Sequence, residues 1–335
     1  MKKLTINEIA EMVGVSKTTI SFYLNGKTNK MSDETQKKIQ QVIEETGYTP
    51  SAATRTVKAS DDCIGVILGD VSKPFAAKAL KGIEEEAHEA GYQVIVGNNE
   101  MSFAKEKEYV EHMLKMGVSG LIIQATYRFG ILAMELEKKN KKIIYLDISP
   151  YDSQGVRVLG DNYQCVYDAI SQCIERGYDQ LLVVSDANES EYTGMDNLRG
   201  FKDAANDAGV SFKTYFIEAE TTREEIHDYL EQYISEYKKT LVYASDVEAL
   251  RKVYLGIKLF PDFQSLFPER LGLIGFDVTG WTKIAVPEIS AIMIPAYQEG
   301  QIASRKLIEM IESKNSISNK KVIIKNAVRW RDSTL

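Results

Sequence analysis

Downstream of residue 62, short β-branched runs alternate with amphipathic helical stretches, and the whole series occurs twice in succession. Strand-like runs fall at 63–68, 93–96, 120–123 and 142–146, separated by helical patterns near 75–90, 104–116 and 130–139. The second series has strands near 181–185, 213–217, 240–244 and 271–275, and helices near 163–176, 196–208, 223–236 and 246–257. Strands joined through helices do not pair as hairpins, so each series predicts a parallel, doubly wound sheet with helices on both faces. Two such α/β units in tandem predict two lobes with a cleft between them. A ligand there would lie outside the carboxyl ends of the strands.

The first sixty residues carry helical periodicity alone. Ile6, Ile9, Ala10 and Val13 share one face, which ends at Gly14, a helix stop. Ser16 is placed to cap a second helix with Ile20, Tyr23 and Leu24 inward. Ser32 starts a third, with Glu34 and Thr35 in its first turn, Ile39, Val42 and Ile43 on its apolar face, and Gly47 at its end. Two short helices joined through Gly14-Val15-Ser16 have the form of a helix-turn-helix, closed by the third. Charge divides at the same place. Residues 1–60 hold nine Lys/Arg against six Asp/Glu, and the remaining 275 hold 32 against 42, so +3 and −10 make up the formal −7. A basic head on an acidic body predicts that only the head meets a polyanion.

Other classes are excluded by composition. At 44% hydrophobic and 27% charged residues, the 335-residue chain is neither disordered nor fibrous. Its longest uncharged stretch, 116–127, is twelve residues, against about twenty for a membrane-spanning helix. Met1-Lys2-Lys3-Leu4 is followed by no apolar run, so no signal peptide and a cytoplasmic location are expected. Cys63, Cys165 and Cys173 form no CxxC pair, and Cys165 and Cys173 lie about 12 Å apart on a helix, too far for a disulfide or a shared metal. Buried free thiols are expected. The histidines, His88, His112 and His227, sit in Glu/Lys-rich helical patterns, which argues against a His-centred triad or a zinc site. No cofactor, metal or catalytic residue is expected.

The head contains Leu4-Thr5-Ile6-Asn7-Glu8-Ile9-Ala10, Gly14-Val15-Ser16, Thr19-Ile20-Ser21 and Leu24-Asn25-Gly26, then Met31-Ser32 with Thr35, and Gly47-Tyr48-Thr49-Pro50. The core contains Ile64-Gly65-Val66-Ile67, Pro74-Phe75, Gly82-Ile83-Glu84, Ala90-Gly91-Tyr92, Asp161-Asn162, Gly200-Phe201, Gly275-Phe276-Asp277 and Arg331-Asp332-Ser333. Together these segments resemble the lactose/galactose repressor (LacI/GalR) family of bacterial transcriptional regulators, from residue 4 to residue 333. The resemblance implies a helix-turn-helix domain at 1–49, a hinge helix at 50–61 and a core at 62–335. That core would have two lobes similar to type I periplasmic sugar-binding proteins. The N-lobe is expected at about 62–161 and 292–321, and the C-lobe at about 162–291 and 322–335. It further implies a repressor of carbohydrate-use genes whose operator affinity is set by a small sugar, sugar acid or sugar phosphate between the lobes. A recognition helix offers only three or four base-reading side chains, so a dimer on a pseudo-palindromic operator is expected.

On the second helix Lys17, Thr18, Ser21 and Phe22 face outward, and the resemblance implies base reading from Lys17, Thr18 and Phe22. Lys17 can donate to guanine O6 or N7, or bind phosphate alone, and Thr18 can touch a base edge or a thymine methyl. Phe22 stands where the family usually has a polar or basic reader. It can sense a thymine methyl, or it is extra core. Thr5, Ser16, Asn25, Ser32 and Thr35 suit phosphate contacts at helix ends. In the hinge, Arg55 faces the DNA backbone, and Val57 stands where the family wedges a leucine into the minor groove. Val57 is one methylene shorter and a poorer helix former, so the alternative there is a plain linker.

The resemblance implies effector contacts from Phe75, Asp147, Asp161 and Asp277 at strand ends, with Trp281 stacking on a sugar or buried as core. Three positions depart from the family. A frequent arginine is Asn197, a usual asparagine is Ser245, and a frequent glutamine is Ile294. An anionic effector would then need its counter-charge elsewhere, and Arg128, after the 120–123 strand, is the best-placed cation.

Alternative readings are a doubly wound enzyme, a secreted sugar-binding protein, and a regulator whose co-regulator is a phosphocarrier protein. The enzyme is opposed by the lack of GxGxxG, Walker motif or catalytic partner for the many carboxylates. The chain ends at Leu335 without leucine heptads, so a dimer and not a tetramer is expected.

Overall fold

The structure, a computed structural model, describes residues 4–24, 28–46, 48, 63–147, 155–186, 194–235, 237–313 and 321–335. The chain divides into two compact units, Met1–Ser60 and Asp61–Leu335.

The first unit holds α1 (Ile6–Val13), α2 (Lys17–Leu24) and α3 (Asp33–Thr46). Thr5 and Glu8 form a reciprocal cap at the start of α1: Glu8 N donates to Thr5 Oγ1 at 3.3 Å, and Thr5 N donates to Glu8 Oε2 at 2.6 Å. Gly14 ends α1 at φ +76°, a left-handed conformation that costs a residue with a Cβ. Ile9, Ile20 and Ile39, one from each helix, meet in a fully buried core with Ile6, Ala10 and Tyr48 around them.

The second unit begins β1 (Cys63–Leu68), α4 (Pro74–Glu89), β2 (Gln93–Asn98), α5 (Phe103–Met116), β3 (Gly120–Ile123), α6 (Gly130–Lys138), β4 (Lys142–Leu146) and β5 (Val156–Gly160). It continues α7 (Asn162–Glu175), β6 (Gln180–Asp186), α8 (Gly194–Asp207), β7 (Phe212–Ile217) and α9 (Arg223–Glu231). Then come β8 (Thr240–Ala244), α10 (Val247–Ile257), β9 (Leu271–Asp277), β10 (Ser290–Met293), α11 (Ala296–Glu312), β11 (Lys321–Ile324) and β12 (Ala327–Arg329). One sheet has the order β11-β5-β4-β3-β1-β2 and is parallel throughout. The other, β12-β10-β9-β8-β6-β7, is parallel except for the β12 edge.

Each sheet is buried on both faces, and its strands alternate between two apolar clusters, as the two-residue strand period requires. In the first sheet Ile64, Val66 and Leu68 face one cluster while Ile67, Leu121 and Ile123 face the other. In the second, Leu181 and Val183 are opposed by Leu182 and Val184. Cys165 and Cys173 are buried free thiols, and burial pushes each up to about 12.

The chain passes between lobes three times: from β5 to α7, from β10 to α11 and from β11 to β12. The expected lobe boundaries at 291/292 and 321/322 shift accordingly. β10 pairs with β9, so the C-lobe runs on past Met293, and β11 pairs with β5, so the N-lobe runs on past Ile324. In the N-lobe α4 and α11 touch through bare backbone, because Gly82 meets the Tyr297 carbonyl and Gly300 meets that of Ala79. A Cβ at either would collide with main chain. The glycine contact seats α11 on β3, β4 and β5 and fixes where its first turns lie.

Candidate functional site

The head presents α2. Ser16 Oγ accepts from Thr19 N at 3.1 Å and shares a 2.9 Å hydrogen bond with Thr19 Oγ1. The cap leaves Lys17 and Thr18 exposed in the first turn, whose N–H groups have no helical carbonyl to bond. Ser21 and Phe22 lie one turn on along the same face and are half-exposed, while Ile20 is fully buried. Phe22 is absent from the side chains packed on the head's core, and the Lys30 ammonium lies 5.0 Å from its ring centroid. The arrangement at α3 repeats that at α2, with Ser32 Oγ accepting from Thr35 N at 3.2 Å and pairing with Thr35 Oγ1 at 2.9 Å. The hydroxyls of Thr5, Ser16, Ser32 and Thr35 therefore hold helix ends. Asn25, Arg55 and Val57 lie outside the described residues.

In the core, the three lobe crossings lie at the carboxyl edges of the two parallel sheets, the edges at which a ligand of such a fold is expected. Lys78, near the start of α4, donates through Nζ to the Val278 carbonyl, just after β9, and bridges the lobes. Asp147 directly follows β4 and occupies a left-handed backbone conformation at φ +60°. Its half-buried carboxyl is pushed up to about 6 by burial, offset in part by a 3.2 Å hydrogen bond from Gln124 Nε2. Gln124 is itself held by Gly69 N, which donates to its Oε1 at 3.0 Å.

Asp277, at the corresponding end of β9, is fully buried. Its Oδ1 accepts from Thr279 N at 2.8 Å, Thr279 Oγ1 at 3.1 Å and Gly280 N at 3.0 Å. Its Oδ2 accepts from Thr282 N at 3.2 Å and Thr282 Oγ1 at 2.6 Å. Burial alone would raise this carboxyl, but the bonds from Thr282, Gly280 and Thr279 outweigh it and hold Asp277 below the usual carboxylate range. A carboxylate has about four lone-pair sites. Asp277, expected as an effector contact, closes its own loop, which takes up its acceptor capacity.

Asp161 is also committed. It starts α7, and its Oδ1 accepts from Asn326 N at 2.6 Å, tying the β5–α7 crossing to the β11–β12 crossing. Asn197 is buried on α8 and donates through Nδ2 to the Ser245 carbonyl at 3.0 Å, while its Oδ1 has no hydrogen-bond partner among the described residues. Ser245 follows β8 and is buried. Phe75, half-buried in the first turn of α4, packs on the N-lobe core. Arg128 is exposed, with its guanidinium 4.7 Å from the Phe103 ring centroid. Trp281 packs with the C-lobe cluster beside α9 and α10, its ring 5.6 Å from that of Tyr254.

Two carboxylates at the cleft edge escaped the sequence reading. Asp246 caps α10 through Oδ1, which accepts from Glu248 N and Ala249 N at 2.8 Å, while its buried Oδ2 has no partner among the described residues. Glu299, one turn into α11, is 1% exposed, and neither carboxyl oxygen has a partner among the described residues. Its signal was present in the sequence, since Glu299 falls on the same helical face as Ala296, Ala303 and Leu307. Among the described residues no group of His, Cys, Asp and Glu is placed to hold a metal ion, and no helix is long and apolar enough to cross a membrane.

Comparison with known proteins identifies this arrangement. The pattern of bacterial regulatory proteins of the lacI family matches residues 5–51, and that of periplasmic binding proteins and the sugar binding domain of the LacI family matches residues 61–330. The chain belongs to the LacI family. Members are DNA-binding transcriptional regulators and not enzymes, which sets the enzyme alternative aside. Catabolite control protein A of Priestia megaterium is 27% identical over 334 residues, covering 99% of each chain. The PurR repressor of Photobacterium profundum is 26% identical over 316 residues, covering 93% of each. A LacI-family regulator from Silicibacter pomeroyi shares the fold at a TM-score of 0.77, with 17% identity and 99% of each chain covered. One from Enterococcus faecium, solved with bound ribose, matches at a TM-score of 0.67 and 20% identity, over 81% of this chain and 98% of that one.

Proposed function

We propose that this LacI-family regulator is a cytoplasmic, homodimeric repressor of carbohydrate-use genes, released from a pseudo-palindromic operator by a small carbohydrate bound between the lobes. The observation that carries the reading is the pairing of a capped, outward-facing α2 with a core whose three lobe crossings lie at the carboxyl edges of its two sheets. The Enterococcus faecium neighbour, with its bound ribose, supports the same class of ligand. Neither the structure nor the comparisons support the phosphocarrier alternative.

Lys17, Thr18, Ser21 and Phe22 form the base-reading face. Their neighbours in the first turn, and the capped starts of α1 and α3 at Thr5, Ser32 and Thr35, offer backbone N–H groups to phosphate. In the core, Asp147 with Gln124, Asn197 and Phe75 supply the ligand contacts, while Asp161 and Asp277 hold the frame around them. The ligand shifts operator affinity only by its difference in affinity for two lobe arrangements, typically about 1–3 kcal/mol. The test is a gel shift on the operator with and without sugars, repeated for Lys17→Ala. The variant should relax preference at one base pair by about 1–3 kcal/mol per half-site. Uniform weakening on every sequence would make Lys17 a phosphate contact instead.

A further inference from the structure

Among the described residues, the N-lobe edge of the cleft holds one buried carboxyl, Glu299, that no donor reaches. Glu299 lies on α11, which packs on β3, β4 and β5, and is buried with both oxygens unpartnered among the described residues. Asp147 and Asp161, which follow those two strands, are the charged groups that act on it. The C-lobe edge adds Asn197 Oδ1 and Asp246 Oδ2, both buried and unpartnered among the described residues. An unpartnered buried polar group costs about 1–3 kcal/mol, and a charged one more. A sequence that keeps several of them at one cleft is matched to a ligand that brings donors. Of the basic groups expected near the cleft among the described residues, Lys78 donates to the Val278 carbonyl and Arg128 lies exposed against the Phe103 ring. The family's frequent arginine is Asn197 in this chain.

We propose that the effector carries an ammonium group, as an amino sugar does, and that Asp147 and Glu299 receive its charge. The proposal rests on the reading of this cleft as the effector site. It favours a cationic carbohydrate over the sugar acid or sugar phosphate that the family resemblance also allows. Binding has a proton signature. Burial, and then the charges of Asp147 and Asp161, push Glu299 up to about 8, so the free protein holds it protonated at pH 7. An ammonium placed against it favours the carboxylate and expels that proton.

The test is calorimetric titration of the full chain at pH 7 with glucosamine, galactosamine and mannosamine, beside their neutral parents and the parents' 6-phosphates. One amine should bind at least about tenfold tighter than its neutral parent, with release of about one proton per ligand read from two buffers of different ionisation enthalpy. Glu299→Gln keeps the neutral shape, so it should retain operator binding and lose both the amine preference and the proton release. Tighter or equal binding of a neutral or phosphorylated hexose overturns the proposal and leaves the carbohydrate-responsive reading standing. Failure of every sugar to bind at about 10 mM overturns both, while the gel shift still reports separately on the DNA-binding reading.

Discussion

Asp147 and Asp277 stand at the ends of β4 and β9, the matching strands of two sheets with the same order, yet the protein holds them in opposite ways. Asp277 accepts five hydrogen bonds from the three residues Thr279, Gly280 and Thr282 and is held below the usual carboxylate range. Among the described residues Asp147 receives one side-chain hydrogen bond; it sits in a left-handed backbone conformation and is pushed up to about 6. A carboxylate whose loop satisfies it builds structure. One kept short of donors, with an unpartnered Glu299 behind it, is arranged for something that arrives from outside.

The largest effect that would break this comparison is on stability. Asp277→Ala leaves the donors of Thr279, Gly280 and Thr282 without their acceptor, and should cost about 3 kcal/mol or more in urea denaturation. A loss under about 1 kcal/mol would mean that the loop does not depend on Asp277. The second effect is a pH slope. Acids whose folded pKa is raised bind more protons folded than unfolded, so stability falls as pH rises from the unfolded to the folded value. For Glu299 that window runs from 4.5 to about 8, and for Asp147 from 3.8 to about 6. Stability should therefore decline by a few kcal/mol, on the order of the shift, between pH 5 and pH 8.5, and Glu299→Gln should flatten most of the decline. A stability that rises over that range would reverse the assignment. The smallest effect is Asp147→Asn, which removes a raised carboxyl and suits the left-handed backbone. Its stability should stay within about 1 kcal/mol of the parent, while binding of the amino sugar is lost.

Much of this was legible in the sequence because the signals are local. The caps at Thr5, Ser16 and Ser32, the stop at Gly14 and the eight long strand and helix alternations follow from residues within one or two turns of each other. β5, β10, β11 and β12 were not read as strands, because these runs of three to five residues fall outside the regular strand–helix alternation and carry too little periodicity by themselves. Their absence from the reading misplaced two lobe boundaries by a few residues. The site was legible as a set of carboxylates but not in its division of labour. That Asp277 is saturated depends on the backbone turn after it, and that Glu299 is buried beside Asp147 and Asp161 depends on the helix seated by Gly82 and Gly300. Glu299 and the two aspartates are far apart in the chain, and composition or spacing cannot bring them together.

The most direct measurement is a carboxyl-carbon NMR titration of the free protein, labelled at Asp and Glu and assigned through Asp147→Asn, Asp277→Asn and Glu299→Gln. The account predicts midpoints at about 6 for Asp147 and about 8 for Glu299, with Asp277 ionised below the usual carboxylate range. Coincident midpoints for Asp147 and Asp277, both in the ordinary carboxylate range, would contradict it, since the two strand ends would then be held alike.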